Sequence, residues 1–127
     1  MPHRIDELQG QRLLIVGDEN PPLARIQHIL DLIGEALPQR VSVIVVPVTR
    51  LDPAFFLLRS GLAGEFAQKI VNYRLKLAII GDISPFTAAS GPLADFVRES
   101  NQGRNIFFLP DLSALADKLT ALSAELL

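Results

Sequence analysis

Cysteine is absent from all 127 residues, which excludes disulfides and thiolate chemistry and is consistent with a reducing compartment. Histidine is nearly absent. His3 and His28 are the only two, and they lack the spacing of a zinc-binding pair, so no metal site is expected. No GxGxxG, GxxxxGK[ST] or GxSxG motif occurs, nor a workable Ser-His-Asp set. An acid/base enzyme would have to rely on Asp82, Glu65 and Glu99, so no catalytic residue and no cofactor is assigned. Runs of like charge are also missing. With a formal net charge of -2, the chain lacks the basic stripe of a nucleic-acid binder, and none is expected. No apolar run approaches the ~20 residues of a membrane helix. The opening MPHRIDELQG has no apolar core for a signal peptide. The expectation is a cytoplasmic protein that does not engage a membrane.

What is present is enough apolar material for a core. The chain is 49% hydrophobic and 20% charged, which suits one globular domain over residues 1–127. Four short apolar runs, Leu13–Val16, Val43–Val46, Leu77–Ile80 and Ile106–Leu109, read as strands buried on both faces of a parallel sheet. Pro47 ends the second, where a missing N–H does least harm. Arg4–Leu8 reads as an earlier strand, joined to the first run by a turn at Gln9-Gly10.

Helical periodicity fills the gaps. One stripe is Leu23, Ile26, Leu30, Ile33 and Leu37. A longer one is Phe55, Leu58, Leu62, Phe66 and Ile70. Leu93, Phe96 and Val97 mark a third helix. Leu112, Leu115, Leu119, Leu122 and Leu126 form a fourth. Asn20-Pro21 and Asp52-Pro53 predict the first two starts, Ser90 and Pro92 the third, and Asp111 the last. Gly103 is expected to stop the third helix in a left-handed conformation. The predicted fold is α/β in the order β-β-α-β-α-β-α-β-α, mainly parallel with an antiparallel N-terminal edge strand. The alternative is a flavodoxin-like three-layer sandwich.

Several polar residues are candidates for a ligand or partner site: Ser60, Glu65, Asn72, Asp82, Ser84 and Asn101. Gly81-Asp82-Ile83-Ser84 ends a buried strand, and open α/β sheets collect ligands at the carboxyl ends of strands. The adjoining stretch, Ile83–Gly91, is small and polar enough to serve as a lid. The plainer reading is that Asp82 or Ser84 caps a turn before Pro85. Glu65 either pairs with Lys69 on the surface or faces a pocket with Asn72 or Arg98. Asn101 reads as part of a C-cap with Gly103. Ser60, Gly61, Ala63 and Gly64 read as a small-residue face for close packing, or as backbone approaching a ligand.

Beyond these single residues lies an ordered set of motifs. Asp52-Pro53-x-Phe55-Phe56-x-Leu58-x-Ser60-Gly61-Leu62-Ala63-Gly64-Glu65 is followed by Gln68-Lys69 and Asn72-Tyr73-Arg74. Then come Leu77-Ala78-Ile79-Ile80-Gly81-Asp82-x-Ser84 and Asp95-Phe96-Val97-x-Glu99-Ser100-Asn101-x-Gly103. The chain from about Leu51 onward resembles the bacterial family known as domain of unknown function 4180. That family implies kinship but no activity.

More weakly, the order of elements is similar to the STAS-like domain shared by sulfate transporters and anti-sigma factor antagonists. Ser60-Gly61-Leu62 looks like its Ser-Gly-Leu segment, where the antagonists use a serine as a phosphorylation switch for a partner kinase. Two features depart from that pattern. Arg59 stands where a short polar residue is usual. Asp52-Pro53 starts the helix about two turns early, which places Ser60 inside it, partly buried and unphosphorylated.

The leading expectation is a non-enzymatic protein-interaction or regulatory module with an unidentified protein partner. The alternative is a small-molecule-binding domain or weak enzyme with a polar pocket at the carboxyl ends of the central strands. The full leucine stripe of the last helix adds the expectation of a homodimer.

Overall fold

The computed structural model describes residues 3–17 and 21–125. Among them, five strands form one sheet in sequence order: β1 (His3–Leu8), β2 (Gln11–Val16), β3 (Val43–Pro47), β4 (Lys76–Ile80) and β5 (Ile106–Leu109). β1 runs antiparallel to β2, and every later pairing is parallel. This is the mainly parallel α/β order with an antiparallel edge that the sequence predicts. The order never reverses, as it would in a flavodoxin-like sheet. The β1–β2 hairpin turns on Gln9 and Gly10, both at positive φ (52° and 76°), the twist a two-residue hairpin loop requires.

Right-handed crossovers that always step the same way along a sheet land on the same face. Three helices therefore share one side: α1 (Ile26–Ala36), α2 (Leu62–Asn72) and α4 (Gly91–Gln102), with short α3 (Ser84–Ala89) ahead of α4. Their core joins Leu14, Ile44, Leu77 and Phe108 of the sheet to Ile29, Phe66, Ile70 and Leu93 of the helices. α5 (Leu112–Glu125) leaves the last strand and covers the other face alone. Leu115, Leu119 and Leu122 bury Leu13, Val43, Val45, Ala78 and Phe107.

Two helix starts differ from expectation, each for a tertiary reason. α1 begins at Ile26, not at Pro21, and Asn20 lies outside the described residues. The Leu23 N–H donates to Arg50 O (2.7 Å) and its carbonyl accepts from Asp52 N–H (3.1 Å), which holds this segment extended. The buried face of α1 is Ile29, Leu32, Ile33 and Ala36, and Leu37 is exposed beyond its end. Asp52 does cap, accepting from Ala54 N–H (2.9 Å), but Pro53–Phe56 forms a 3₁₀ turn in place of an α-helix. That turn drives both Phe55 and Phe56 into the core. A second 3₁₀ turn, Leu58–Ser60, ends at Gly61 with φ 78°, and only then does α2 start. Leu58 is left off the buried stripe.

The stretch expected as a lid is α3 instead, with Phe86 stacked on Phe56 at 4.1 Å. Ser90 caps α4 and Asp111 caps α5, as expected, through Leu93 N–H (3.2 Å) and Ala114 N–H (2.8 Å). Gly103 follows α4 at φ -88°, not left-handed.

Phe66 is fully buried edge-on to Phe55, 5.5 Å between ring centres. Phe66→Ala should cost ~3–5 kcal/mol, the usual range for a buried phenylalanine. Denaturant unfolding checks this, and an unchanged midpoint would mean Phe66 does not sit in the core.

Candidate functional site

The carboxyl ends of β4 and β5 carry the first candidate. Gly81 sits at φ 138°, and a Cβ there would lie 3.0 Å from Val48 Cγ2. Only glycine fits without displacing Val48. Next to it, Asp82 Oδ1 accepts from Ser84 N–H at 2.9 Å. Hydrogen bonds from the Ser84 backbone and hydroxyl hold the Asp82 carboxyl below its ordinary range. Asp82 and Ser84 line an open depression of about 440 Å³ with Thr87 and Leu109. Both are exposed, so the pair closes a turn ahead of Pro85.

The other sequence candidates lie elsewhere. Ser60 is exposed, contrary to expectation, because α2 starts two residues after it. Its hydroxyl donates to Ala54 O (2.7 Å) and accepts from Leu62 N–H (3.2 Å). Glu65 and Asn72 are exposed on α2 and do not line the depression. Arg98, weighed as a partner for Glu65, bonds Asp95 at 2.8 Å. Asn101 is not a C-cap. Its side-chain amide donates to Phe108 O (3.1 Å) and accepts from Phe108 N–H (2.7 Å). Its own carbonyl accepts from Lys118 Nζ (2.7 Å), tying α4, β5 and α5 together. Of the six candidates, then, Asp82 and Ser84 share a site, while Ser60 and Asn101 secure local structure.

A second cavity, about 200 Å³, opens at the carboxyl ends of β2 and β3. Arg50 forms one wall and is 7% exposed. Its Nε donates to Pro21 O (2.9 Å) and its Nη1 to Gly17 O (2.6 Å). Burial pushes its guanidinium below its ordinary value, but an arginine stays charged. No carboxylate pairs with it among the described residues, which is unusual for a buried cation. Opposite, His28 in the first turn of α1 uses Nδ1 to accept from Ala24 N–H (2.9 Å) and Arg25 N–H (3.2 Å). That fixes the neutral ring with its proton on Nε2. His3 Nδ1 donates to Glu35 Oε2 at 2.7 Å. His3 Nε2 is buried without a partner. Among the described residues, no three acidic or histidine side chains form a metal-ligand set.

The sequence did not reveal this cavity. His3 stands 25 positions before His28, and only the pairing of His3 with Val16 brings it against α1, where it meets Glu35. Arg50 gave no motif. Its one signal was position, three residues past a strand end, where ligand-facing residues gather.

Asn101→Ala would leave the Phe108 N–H and C=O without their side-chain partner. The expected cost is ~1–3 kcal/mol, with faster hydrogen exchange at the Phe108 amide. Unchanged exchange at Phe108 would contradict the bracket.

No helix among the described residues is long and apolar enough to cross a membrane. No curated protein and no solved structure matches the chain. One family model does match, over residues 8–119, spanning β2 to β5, the last residue of β1, and α5 as far as Leu119. The chain therefore belongs to the family described as Domain of unknown function (DUF4180).

Proposed function

We propose that this chain is a non-enzymatic protein-interaction or regulatory module, acting as a homodimer in a bacterial cytoplasm. The observation that carries the reading is the surface just ahead of α2. Leu57 and Leu58 are 49% and 37% exposed there, two adjacent large apolar side chains beside the exposed Ser60 hydroxyl. Exposed apolar groups gathered at one place mark contact surfaces. The use made of the polar candidates supports the same reading. Asp82 and Ser84 close a turn, and Asn101 braces a strand, which leaves little to drive a reaction at those positions.

Ser60 stands before α2 rather than within it, which brings the segment nearer to the anti-sigma antagonist pattern than its sequence implied. A phosphate on Ser60 would end its donation to Ala54 O and add negative charge at the N-terminus of α2. Support for a second copy comes from the face that α5 covers alone. Ile15, Ile80 and Leu109 remain only partly buried on it.

The alternative reading, a small-molecule-binding domain or weak enzyme at the carboxyl ends of the central strands, is favoured by the cavity beside Arg50 rather than by Asp82 and Ser84.

Affinity capture from the native host tests the leading reading, with co-purifying proteins and metabolites both identified. A partner protein should be retained by the wild type and lost with Leu57→Asp plus Leu58→Asp, at unchanged melting temperature. A partner kept equally by that variant would place the contact elsewhere. Light scattering coupled to size exclusion tests the dimer, whose mass should be about twice the 13.9 kDa of one chain. A constant mass near 13.9 kDa across concentrations would remove it.

A further inference from the structure

The Arg50 cavity shares no residue with the Leu57–Ser60 surface and stands on separate observations. From its lining we infer that it binds a small zwitterion of the amino-acid class, with the carboxylate on Arg50 and His28 and the ammonium on Asp31. Three features point there. The first is donor chemistry. After its two carbonyl bonds, Arg50 still has N–H groups without a protein partner among the described residues. His28 has its Nε2–H for the same cavity, since Nδ1 is already engaged. A guanidinium fork and a neighbouring imidazole N–H suit a carboxylate. Among the described residues no anion stands beside this buried cation, and a bound carboxylate would offset the cost of burying it.

The second feature is the opposite charge at the mouth. Asp31 and Glu35 project from α1 into the lining, and both are exposed. Glu35 is engaged by His3, and Asp31 holds only a surface bond from Gln27 (2.8 Å). A dianion such as phosphate would meet two carboxylates on the way in, whereas an ammonium group would be drawn to Asp31. The third feature is size and rigidity. The space is about 200 Å³ with Leu23 and Leu32 contributing apolar wall, enough for a small side chain. The wall is already fixed by the Leu23–Arg50 and Asp52–Leu23 backbone bonds, so little ordering is needed on binding. The partnerless His3 Nε2 lies in the same lining and marks an unmet hydrogen bond.

Nuclear magnetic resonance titration of the full chain tests the site, read at the Ala24 and Arg25 amides that bond His28. The probes are L-alanine, L-valine, propionate, propylamine and inorganic phosphate. L-Alanine or L-valine should shift those amides and bind at least about fivefold tighter than propionate or propylamine. Asp31→Asn, an exposed change that leaves the fold intact, should weaken amino-acid binding about fivefold and leave propionate unchanged, the scale of one part-exposed ion pair. Arg50→Lys, which keeps the charge but loses the fork, should weaken every carboxylate probe. Phosphate binding tighter than the amino acids, propionate binding as well as L-alanine, an unaffected Asp31→Asn, or no shift with any probe would each overturn the assignment. None of these results bears on whether Leu57 and Leu58 hold a partner.

Discussion

Strand order combined with crossover handedness is the constraint on which the rest of this molecule depends. Because β2 to β5 are laid down in sequence and crossovers between parallel strands are right-handed as a rule, three helices crowd one face. Nothing in that arrangement covers the opposite face until the chain has finished its last strand. The five residues buried there, Leu13, Val43, Val45, Ala78 and Phe107, wait for the leucines of α5. The face is also graded. Its centre is sealed, and its carboxyl end, with Ile15, Ile80 and Leu109, is only partly covered. The same constraint sends every strand-to-helix connection out along one rim, where the Asp82 depression and the Arg50 cavity both lie.

Along that rim, the two halves are held by different chemistry. At β4 and β5 the backbone itself does the work, through Gly81 and the Asp82–Ser84 turn, and the result is open and spent. At β2 and β3 a buried side chain does it. Arg50 reaches across to the carbonyls of Gly17 and Pro21, and the short parallel bridge between Leu23 and Leu51 locks the segment behind it. A hydrophobic residue at position 50 could fill the same volume more cheaply. Among the described residues its partners are carbonyls, which hold the charge in place without neutralising it.

The strands were legible in the sequence because burial on both faces forces continuous β-branched and aromatic runs, such as Val43–Val46 and Ile106–Leu109. The hairpin was legible from Gln9-Gly10, and the starts of α4 and α5 from Ser90 and Asp111, since a side-chain cap acts within three residues. What failed was decided at long range. Pro21–Leu23 looks like a helix start, but backbone pairing with Arg50 and Asp52 holds it extended. The stripe from Phe55 to Ile70 has helical spacing, yet two 3₁₀ turns and Gly61 break it so that Phe55 and Phe56 both reach the core. The Arg50 cavity was illegible for the same reason, as its parts come from β1, α1 and the segment after β3. Of the six polar candidates, Asp82 and Ser84 did meet, and Asn101 proved consequential in a role that spacing does not encode.

Asn101 also bears on how this sheet ends. The outward-facing N–H and C=O of Phe108 are the groups an incoming strand would use to extend the sheet past β5, and a side-chain amide already occupies both. The opposite margin, β1, has no such stopper among the described residues and carries Arg4, Asp6 and Glu7 exposed along its length. Edge-to-edge polymerisation is thus discouraged by two unlike devices: a plug at one margin, which must be physically displaced and works at any ionic strength, and a charged fringe at the other, whose influence added salt weakens. A filament of this protein, if one were ever forced, would grow from β1.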